Sequence, residues 1–158
     1  MSDPVLSLRP ATPDDARRVW EWRNEEGTRR ASFQSAVIPY EAHEAWFPRL
    51  LAKTDSRMFI ADVDGVPAGV VRVDNLAAEP EISIALAPAA RGRGYGSRAI
   101  DDACARVFRE TAAPAIVALV RRDNPASASA FLRAGFTHDR DLDVAGIPSS
   151  RLVLVRPS

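Results

Sequence analysis

The sequence predicts one α/β domain, spanning residues 1–158, in which helices cover both faces of a mixed, mostly antiparallel sheet. Strand patterns and helical patterns alternate along the whole chain, with no internal repeat, low-complexity tract or linker. Residues 58–63 and 66–73 have strand patterns joined at Asp64-Gly65, a favourable hairpin turn. Residues 115–120 form a continuous apolar run, which is typical of a central strand covered on both faces.

The first part of the chain is predicted to form one strand and two helices. Residues 5–9 have a strand pattern, and Thr12-Pro13-Asp14-Asp15 then supplies a cap residue, an early proline and first-turn acids, which together indicate a helix start. A second helix follows Ile38-Pro39. Pro48 lies within it and should kink it or split it in two, because proline removes a hydrogen bond.

The remaining elements complete the order β-α-α-β-β-β-α-β-α-β-β. After the hairpin we expect a strand, a helix that follows a glycine-rich loop, the apolar strand, a helix from Asn124-Pro125 to Gly135, and two closing strands. The strands that were not bounded above are predicted over 81–87, 137–143 and 151–155.

Composition excludes several classes of protein. The formal net charge is zero, which argues against a partner bound through a phosphate backbone, such as DNA or RNA. Cys104 is the only cysteine and there are two histidines, so we expect no disulfide and no metal site. No apolar run approaches the ~20 residues of a membrane span, and Met1-Ser2-Asp3-Pro4 does not resemble a signal peptide. A cytoplasmic protein is therefore expected.

Arg91-Gly92-Arg93-Gly94-Tyr95-Gly96 is the most informative segment, because it lies where a strand ends and a helix must begin. Glycines there let consecutive N–H groups face one small volume at the positive end of a helix dipole, which favours phosphate. A P-loop would need a Gly-Lys-Ser/Thr sequence, and a dinucleotide fingerprint would need glycine where Ser97 stands. We therefore interpret the segment as a cradle for the pyrophosphate of a cofactor.

Two motifs at this spacing resemble those of the GCN5-related N-acetyltransferases (GNAT superfamily). The first is Arg91-x-x-Gly94-x-Gly96, and the second is Asn124-x-x-Ser127 followed by Phe131 and Gly135-Phe136. The resemblance covers essentially the whole chain. It implies a GNAT fold with a splayed central strand pair, and acetyl-CoA as cosubstrate. It also implies direct transfer of the acetyl group from the thioester to a primary amine.

The resemblance also assigns cofactor contacts. It implies that Leu86 offers main-chain groups to the pantetheine arm, that Asn124 contacts the arm, and that Ser127 and Phe131 line its far end. The pyrophosphate would be held by Arg91, Gly92, Arg93, Gly94, Tyr95 and Gly96. Phe131 departs from the family pattern, since a tyrosine that protonates the leaving thiolate usually stands there. Ser127, Tyr95 or water then supplies the proton, or the thiolate leaves without one.

Glu81 and His43 are the candidate proton carriers, with Ser127 as the third catalytic candidate. Glu81 lies on the strand that leads into the glycine loop, and a carboxylate there can take a proton from the amine directly or through water. The alternative is a solvated glutamate at a strand edge, and Glu79 is a weaker competitor. His43 precedes Trp46 at helical spacing, which favours a packed histidine at the edge of the core, whereas the resemblance favours an acceptor-site role.

The acceptor side is predicted from a narrower resemblance. Trp22-Arg23-Asn24, then Arg30, then the segment from Ile38-Pro39 through His43 to Trp46-Phe47 resembles the amino-sugar N-acetyltransferases of pseudaminic acid synthesis, and in part the Rim-type ribosomal-protein acetyltransferases. The implied acceptor is a UDP-linked amino sugar, bound by Trp22, Arg23, Asn24, Arg30, His43 and Trp46. A protein N-terminal α-amine acetyltransferase and a CoA-binding module with little catalysis are the alternatives. A homodimer is left open, with an edge strand such as 151–155 pairing between subunits.

Overall fold

A computed structural model describes residues 3–158. Met1 and Ser2, which belong to the segment predicted not to be a signal peptide, lie outside the described residues. Five α-helices and seven β-strands follow one another between residues 3 and 158. They are β1 (Leu6–Pro10), α1 (Ala16–Asn24), α2 (Glu26–Ala31), α3 (Tyr40–Ala52), β2 (Arg57–Val63), β3 (Val66–Asp74), β4 (Glu81–Leu86), α4 (Tyr95–Glu110), β5 (Ala115–Arg121), α5 (Pro125–Arg133), β6 (Thr137–Val144) and β7 (Ile147–Val155).

The strands form one seven-stranded sheet in the order β1-β2-β3-β4-β5-β7-β6. Every neighbouring pair is antiparallel except β4 and β5, which are parallel. The predicted hairpin turn is present at Asp64-Gly65, where both residues have positive φ, of 51° and 81°. The predicted mixed, mostly antiparallel sheet is therefore confirmed.

Two apolar cores lie on opposite faces of the sheet, as predicted for helices on both sides. On one face α4 and α5 pack through Ile100, Ala103 and Phe131 against sheet residues such as Val71 and Ile82. On the other face, the first and third helices pack against the sheet, and this second core contains Val19, Phe47, Leu50, Met58, Ile60 and Val70. The 0% exposure of Val71 and Ile60 shows that both sheet faces are covered.

The region between β1 and β2 differs from the prediction, because it contains three helices and not two. The additional helix α2 has only six residues and no apolar periodicity, so its sequence carries no helical signal. It is capped by the Glu25 carboxylate, which accepts a hydrogen bond from the Thr28 N–H at 2.9 Å. Pro48 does not split α3, since the helix runs through it with Pro48 exposed and Phe47 and Leu50 buried.

The C-terminal strands also differ in position. β7 begins at Ile147, four residues before the predicted start at Arg151, after a turn in which Ala145 and Gly146 have φ of 51° and 80°. It lies between β5 and β6, so the segment 151–155 is not an edge strand and cannot pair between subunits as expected. β1 and β6 occupy the sheet edges. None of the helices between residues 3 and 158 has the length and hydropathy needed to cross a lipid bilayer.

Candidate active site

A gap opens between the two parallel strands in the middle of the sheet. β4 and β5 share a single register pair, Glu81 with Val117, and the Val117 N–H donates to the Pro80 carbonyl at 2.8 Å. Beyond that point β4 remains paired only with β3, as far as Leu86 opposite Gly69. The backbone edge of β4 that faces β5 is thus free of strand pairing, and its N–H and C=O groups are available to a bound ligand.

The glycine loop lies at the open end of this gap. Gly92 and Gly94 have φ of 73° and 80°, a conformation that glycine adopts without steric cost. Gly94 precedes α4 with no side-chain cap, so the first-turn N–H groups are left for an anion. A Cβ on Gly96 would lie 3.5 Å from the Ala130 Cβ and 3.8 Å from the Leu86 Cδ1, which places this glycine between β4 and α5.

The loop arginines have different surroundings. Arg91 Nη2 donates to Glu25 Oε2 at 2.6 Å and to Thr28 Oγ1 at 3.1 Å, so the loop is joined to the α1–α2 junction. This hydrogen bond from Arg91, followed by those from the Gly27 and Thr28 N–H groups, lowers the pKa of Glu25 to about 2. Arg93 is exposed beside a shallow cavity of 240 Å³ on the hairpin side of the loop. Nothing in the sequence indicated the contact between Glu25 and Arg91.

The first turn of α5 forms the other side of the open end. The Asn124 Oδ1 accepts a hydrogen bond from the Ser127 N–H at 3.3 Å, as a helix cap does. Asn124 also lines a shallow cavity of 340 Å³ together with Gly27, Arg30, Ala31 and Asp123. Ser127 is half-buried. The cavity therefore lies between α2 and the residues that follow β5.

Two aromatic side chains of the predicted cofactor site point into packed surroundings. Phe131 is 2% exposed and makes an edge-to-face contact with Phe136, with the ring centroids 5.2 Å apart. Tyr95 is 8% exposed and packs with Ala68 and Ala90. The predicted contact of Phe131 with the cofactor, and the proton transfer from Tyr95, remain predictions.

Glu81 lies at the closed end of the gap, on the sheet face that α1 and α3 cover. It is half-buried and directly opposite Asp74 of β3. Burial raises the pKa of Glu81, the negative charges of Asp74 and Glu79 raise it further, and the Arg72 guanidinium opposes them. A carboxylate with a raised pKa is a better proton acceptor than a solvated one. Glu79 itself is exposed and its Oε2 pairs with Arg151 Nη2 at 2.7 Å.

Arg23 and Trp46 come together on the same face. The Arg23 Cζ lies 4.2 Å from the centroid of the Trp46 ring, and the Arg72 Cζ lies 5.3 Å from it. Arg72 was not among the predicted residues, although it is the only charged side chain within the apolar run of β3 from Ala68 to Val73. That isolated charge was the signal that could have identified it.

His43 is completely buried and holds Arg23. An arginine can only donate, so the His43 Nδ1 accepts from Arg23 Nη1 at 3.0 Å and the Nε2–H donates to the Ala16 carbonyl at 2.8 Å. Burial, and to a lesser degree the charge of Arg23, lower the pKa of His43, while its bond to Ala16 opposes them. Both ring nitrogens are therefore engaged in a neutral imidazole, as expected for a packed histidine. Its predicted catalytic role remains a prediction.

The other predicted acceptor residues make no contact with Glu81 among the interactions of residues 3–158. Asn24 binds the Ile38 backbone through both amide atoms, at 2.8 and 2.6 Å, so it fixes the segment that leads into α3. Trp22 packs against the core beneath α1. Arg30 is exposed, pairs with Glu26 at 3.2 Å and lines the cavity at the open end.

In the part of the chain that the structure describes, potential metal ligands do not cluster and the thiol is buried. No group of three or more potential ligands is found among residues 3–158. Cys104 is buried on α4, and burial followed by the charge of Asp101 raises the pKa of its thiol to about 12.

Solved structures share this arrangement of strands and helices. Spermidine N-acetyltransferase from Vibrio cholerae, in complex with CoA and spermine, is 18% identical and has a TM-score of 0.86, with 95% of each chain covered. AAC(6')-Ib in complex with ribostamycin and coenzyme A is 17% identical, with a TM-score of 0.86 over 96% of this chain and 93% of the other. An uncharacterized protein from Bacillus halodurans is 18% identical, with a TM-score of 0.83 over 96% and 84%. At such identities the likeness concerns the fold.

The family follows from a comparison of the sequence with models of protein families. A comparison with curated proteins gives no match. The model of the acetyltransferase (GNAT) domain, in contrast, matches residues 6–137, a segment that contains the gap, the glycine loop, Glu81 and the first turn of α5. The chain therefore belongs to the GNAT acetyltransferase family.

Proposed function

We propose that this protein transfers an acetyl group from acetyl-CoA to a primary amine, and that its favoured acceptor is an amino-sugar nucleotide. The observation that carries this proposal is the gap beside β4, with an uncapped helix start at one end and Glu81 at the other. Five residue steps separate Glu81 from Leu86, or roughly 16 Å at about 3.3 Å per residue. Membership of the GNAT family supports the same reaction.

The described residues fit the donor. The free first-turn N–H groups of α4 and the positive φ of Gly92 and Gly94 suit a pyrophosphate, and Arg91 and Arg93 add positive charge. The unpaired backbone edge of β4 up to Leu86 suits the amides of a pantetheine arm. When bound, acetyl-CoA supplies an activated thioester carbonyl. A backbone N–H near Leu86 is the donor placed to stabilise the developing oxyanion.

Glu81 is proposed to take the proton from the acceptor amine. A lysine-like amine is neutral in only about one molecule in a few thousand at pH 7, which costs roughly 4–5 kcal/mol unless a base or burial assists. The burial that raises the pKa of Glu81 also strengthens it as that base. An amino-sugar amine needs less assistance, because the oxygens of the ring lower its basicity. The reaction is completed when the CoA thiolate takes a proton from Ser127 or from water, or when it leaves without one. A thiol pKa near 8.5 tolerates an unprotonated leaving group.

The choice of acceptor rests on the residues around Trp46. A tryptophan with two guanidinium groups beside it suits a sugar ring that bears a phosphate, since the indole stacks on the ring and arginine binds phosphate through paired hydrogen bonds. A protein α-amine is the alternative acceptor. Its pKa near 7.7–8.0 would demand little from Glu81.

The test is an acetylation assay with the purified protein, acetyl-CoA and a panel of amines. The panel contains a UDP-linked 4-amino sugar, peptides with free N-termini, and a polyamine, and it is read as thiol release and as the mass of the acceptor. Acetylation of the UDP-amino sugar supports the proposal. Acetylation of peptides alone would move the assignment to the α-amine acetyltransferases. Tight binding of CoA without release of thiol from any amine would leave only a CoA-binding module.

A further inference from the structure

Arg23 differs from the other half-buried arginines in having no anionic or carbonyl partner among residues 3–158. One of its five N–H groups binds His43 Nδ1, which is neutral, and its remaining contact is the face of Trp46. The other half-buried arginines bind carboxylates or backbone carbonyl groups; these are Arg9, Arg18, Arg29, Arg72, Arg106, Arg121, Arg151 and Arg156. A cation partly removed from water without an anion is costly, so this position is suited to receive one.

Arg72 brings a second guanidinium group to the same place. Its guanidinium lies 5.3 Å from the Trp46 centroid and binds Asp74 on one edge through Nε at 2.9 Å. Both guanidinium groups lie over the Trp46 ring, and burial and then the charge of Arg72 lower the pKa of Arg23. The Trp46 ring therefore lies beside two guanidinium groups, of which Arg72 is paired with a carboxylate and Arg23 is not.

This Arg23–Trp46–Arg72 surface adjoins Glu81. Arg72 is paired across β3 and β4 with Ser83, and Asp74 is paired with Glu81, so the four side chains share the sheet face that α1 and α3 cover. The charge of Arg72 also acts on Glu81. A group bound between the arginines would thus lie within a few bonds of an amine that faces Glu81.

We propose that the acceptor carries an anionic group, a phosphate or a carboxylate, close to its reacting amine, and that Arg23 with Arg72 binds this group against Trp46. The inference rests on the proposed acetyltransferase function and assigns the residues that bind an anion of the acceptor. A polyamine would bring further positive charge to the unneutralised Arg23, and is therefore disfavoured. His43 is a positioning residue here, since its Nδ1 accepts a hydrogen bond from Arg23 Nη1.

The first test compares matched amines that differ only in the anion. The pairs are glucosamine 6-phosphate with glucosamine, a UDP-linked amino sugar with the free amino sugar, and a peptide beginning with aspartate with one beginning with asparagine. We expect the anionic member of at least one pair to have a kcat/KM about tenfold higher or more, as a charge-assisted bidentate contact provides. The pair with the largest ratio identifies the source of the anion.

Variants then assign the preference to Arg23. Arg23→Gln should reduce the ratio towards one, mainly through the KM of the anionic member, and Arg23→Lys should retain part of it. Arg17→Gln is the matched control, because Arg17 is also on α1 and its Cζ also lies over an aromatic ring, 4.9 Å from Tyr40. If Arg23 acts only in folding, Arg23→Gln will lower kcat/KM equally for both members of a pair, and that result would overturn the inference. Equal kcat/KM values for both members with the parent protein would overturn it as well.

A binding measurement separates this inference from the proposed function. Inorganic pyrophosphate is titrated into protein already saturated with CoA, so that the glycine loop is filled. Tryptophan fluorescence is compared with that of Trp46→Phe to isolate the signal of Trp46, because Trp20 and Trp22 also emit. We expect saturable quenching that Arg23→Gln weakens about tenfold and Arg17→Gln leaves unchanged. If no amine is acetylated but this binding is present, the proposed function fails and the anion site stands. If amines are acetylated and CoA-saturated protein shows no such binding, the anion site fails and the function stands.

Discussion

Replacing Glu25 by glutamine should strengthen the binding of coenzyme A. In the structure Arg91, a residue of the proposed pyrophosphate cradle, is held by the Glu25 carboxylate at 2.6 Å. A pyrophosphate that recruits Arg91 must compete with this carboxylate and tolerate its negative charge nearby. Glutamine keeps an oxygen that can accept from the Thr28 N–H, so the cap of α2 is preserved while the charge is lost.

The magnitude follows from the exposure of the pair. The side chains of Glu25 and Arg91 are 28% and 39% exposed, so solvent screens the interaction and its contribution is about 1 kcal/mol, although the pKa of Glu25 is strongly lowered. One kcal/mol corresponds to about a fivefold decrease in the Kd of CoA. The gain should shrink at high ionic strength, because the competing charge is partly exposed.

Isothermal titration calorimetry with CoA, at low and at high salt, measures this effect. Glu21→Gln is the matched control, since Glu21 is an exposed glutamate of α1 whose partner, Arg17 at 4.0 Å, lies outside the loop. An unchanged Kd for Glu25→Gln would show that Arg91 does not exchange Glu25 for the pyrophosphate. A weaker Kd would show that the ion pair organises the site instead of competing with the ligand.

Three further variants test other parts of the structure. Glu81→Gln should lower kcat and flatten the rise of kcat/KM with pH that a base of raised pKa produces; an unchanged profile would remove Glu81 as the base. Burial would raise the pKa of Asp15, but the Arg9 hydrogen bond and further contacts lower it to about 2. The ionised Asp15 therefore contributes about 2 kcal/mol to the free energy of unfolding above pH ~4, and this contribution is lost towards pH 2. Chemical denaturation should therefore show Asp15→Asn destabilised by about that amount at pH 7, with the difference closing as the pH falls; a constant difference would contradict this. Gly94 and Gly146 both have a φ of 80°, so replacing either by alanine should lower the free energy of unfolding by about 1 kcal/mol. Only Gly94→Ala should also weaken CoA binding; equal CoA affinities in the two variants would remove Gly94 from the cradle.

The sequence predicts best those features that one short segment determines. The hairpin at Asp64-Gly65 and the cap at Asn124 depend on local backbone preferences, and both are present. The apolar run 115–120 predicts a covered central strand because a strand buried on both faces needs apolar side chains at every position. In each case the residues that carry the signal are neighbours in the chain.

The features that the sequence misses are determined by distant residues. α2 has no apolar face, and its residues are held through Glu25 to Arg91, 66 positions away. The edge position of β6 depends on β7 inserting between β5 and β6, which strand patterns alone do not reveal. Pro48 is tolerated because its neighbours Phe47 and Leu50 anchor the helix to the sheet. Tertiary packing overrides the local signal at all three places.

The two halves of the proposed site differ in the same way, and this explains why the donor is easier to identify than the acceptor. In the proposed site the donor is bound largely by backbone N–H groups of one contiguous glycine loop. Only certain residues permit the conformation of this loop, so the sequence must display it. The proposed acceptor site is built from side chains of three separate elements, Arg23 of α1, Trp46 of α3 and Arg72 of β3. Their meeting depends on how α1 and α3 pack on the sheet. A change of acceptor therefore requires only a few side-chain replacements on this face, while the loop that binds the donor stays the same.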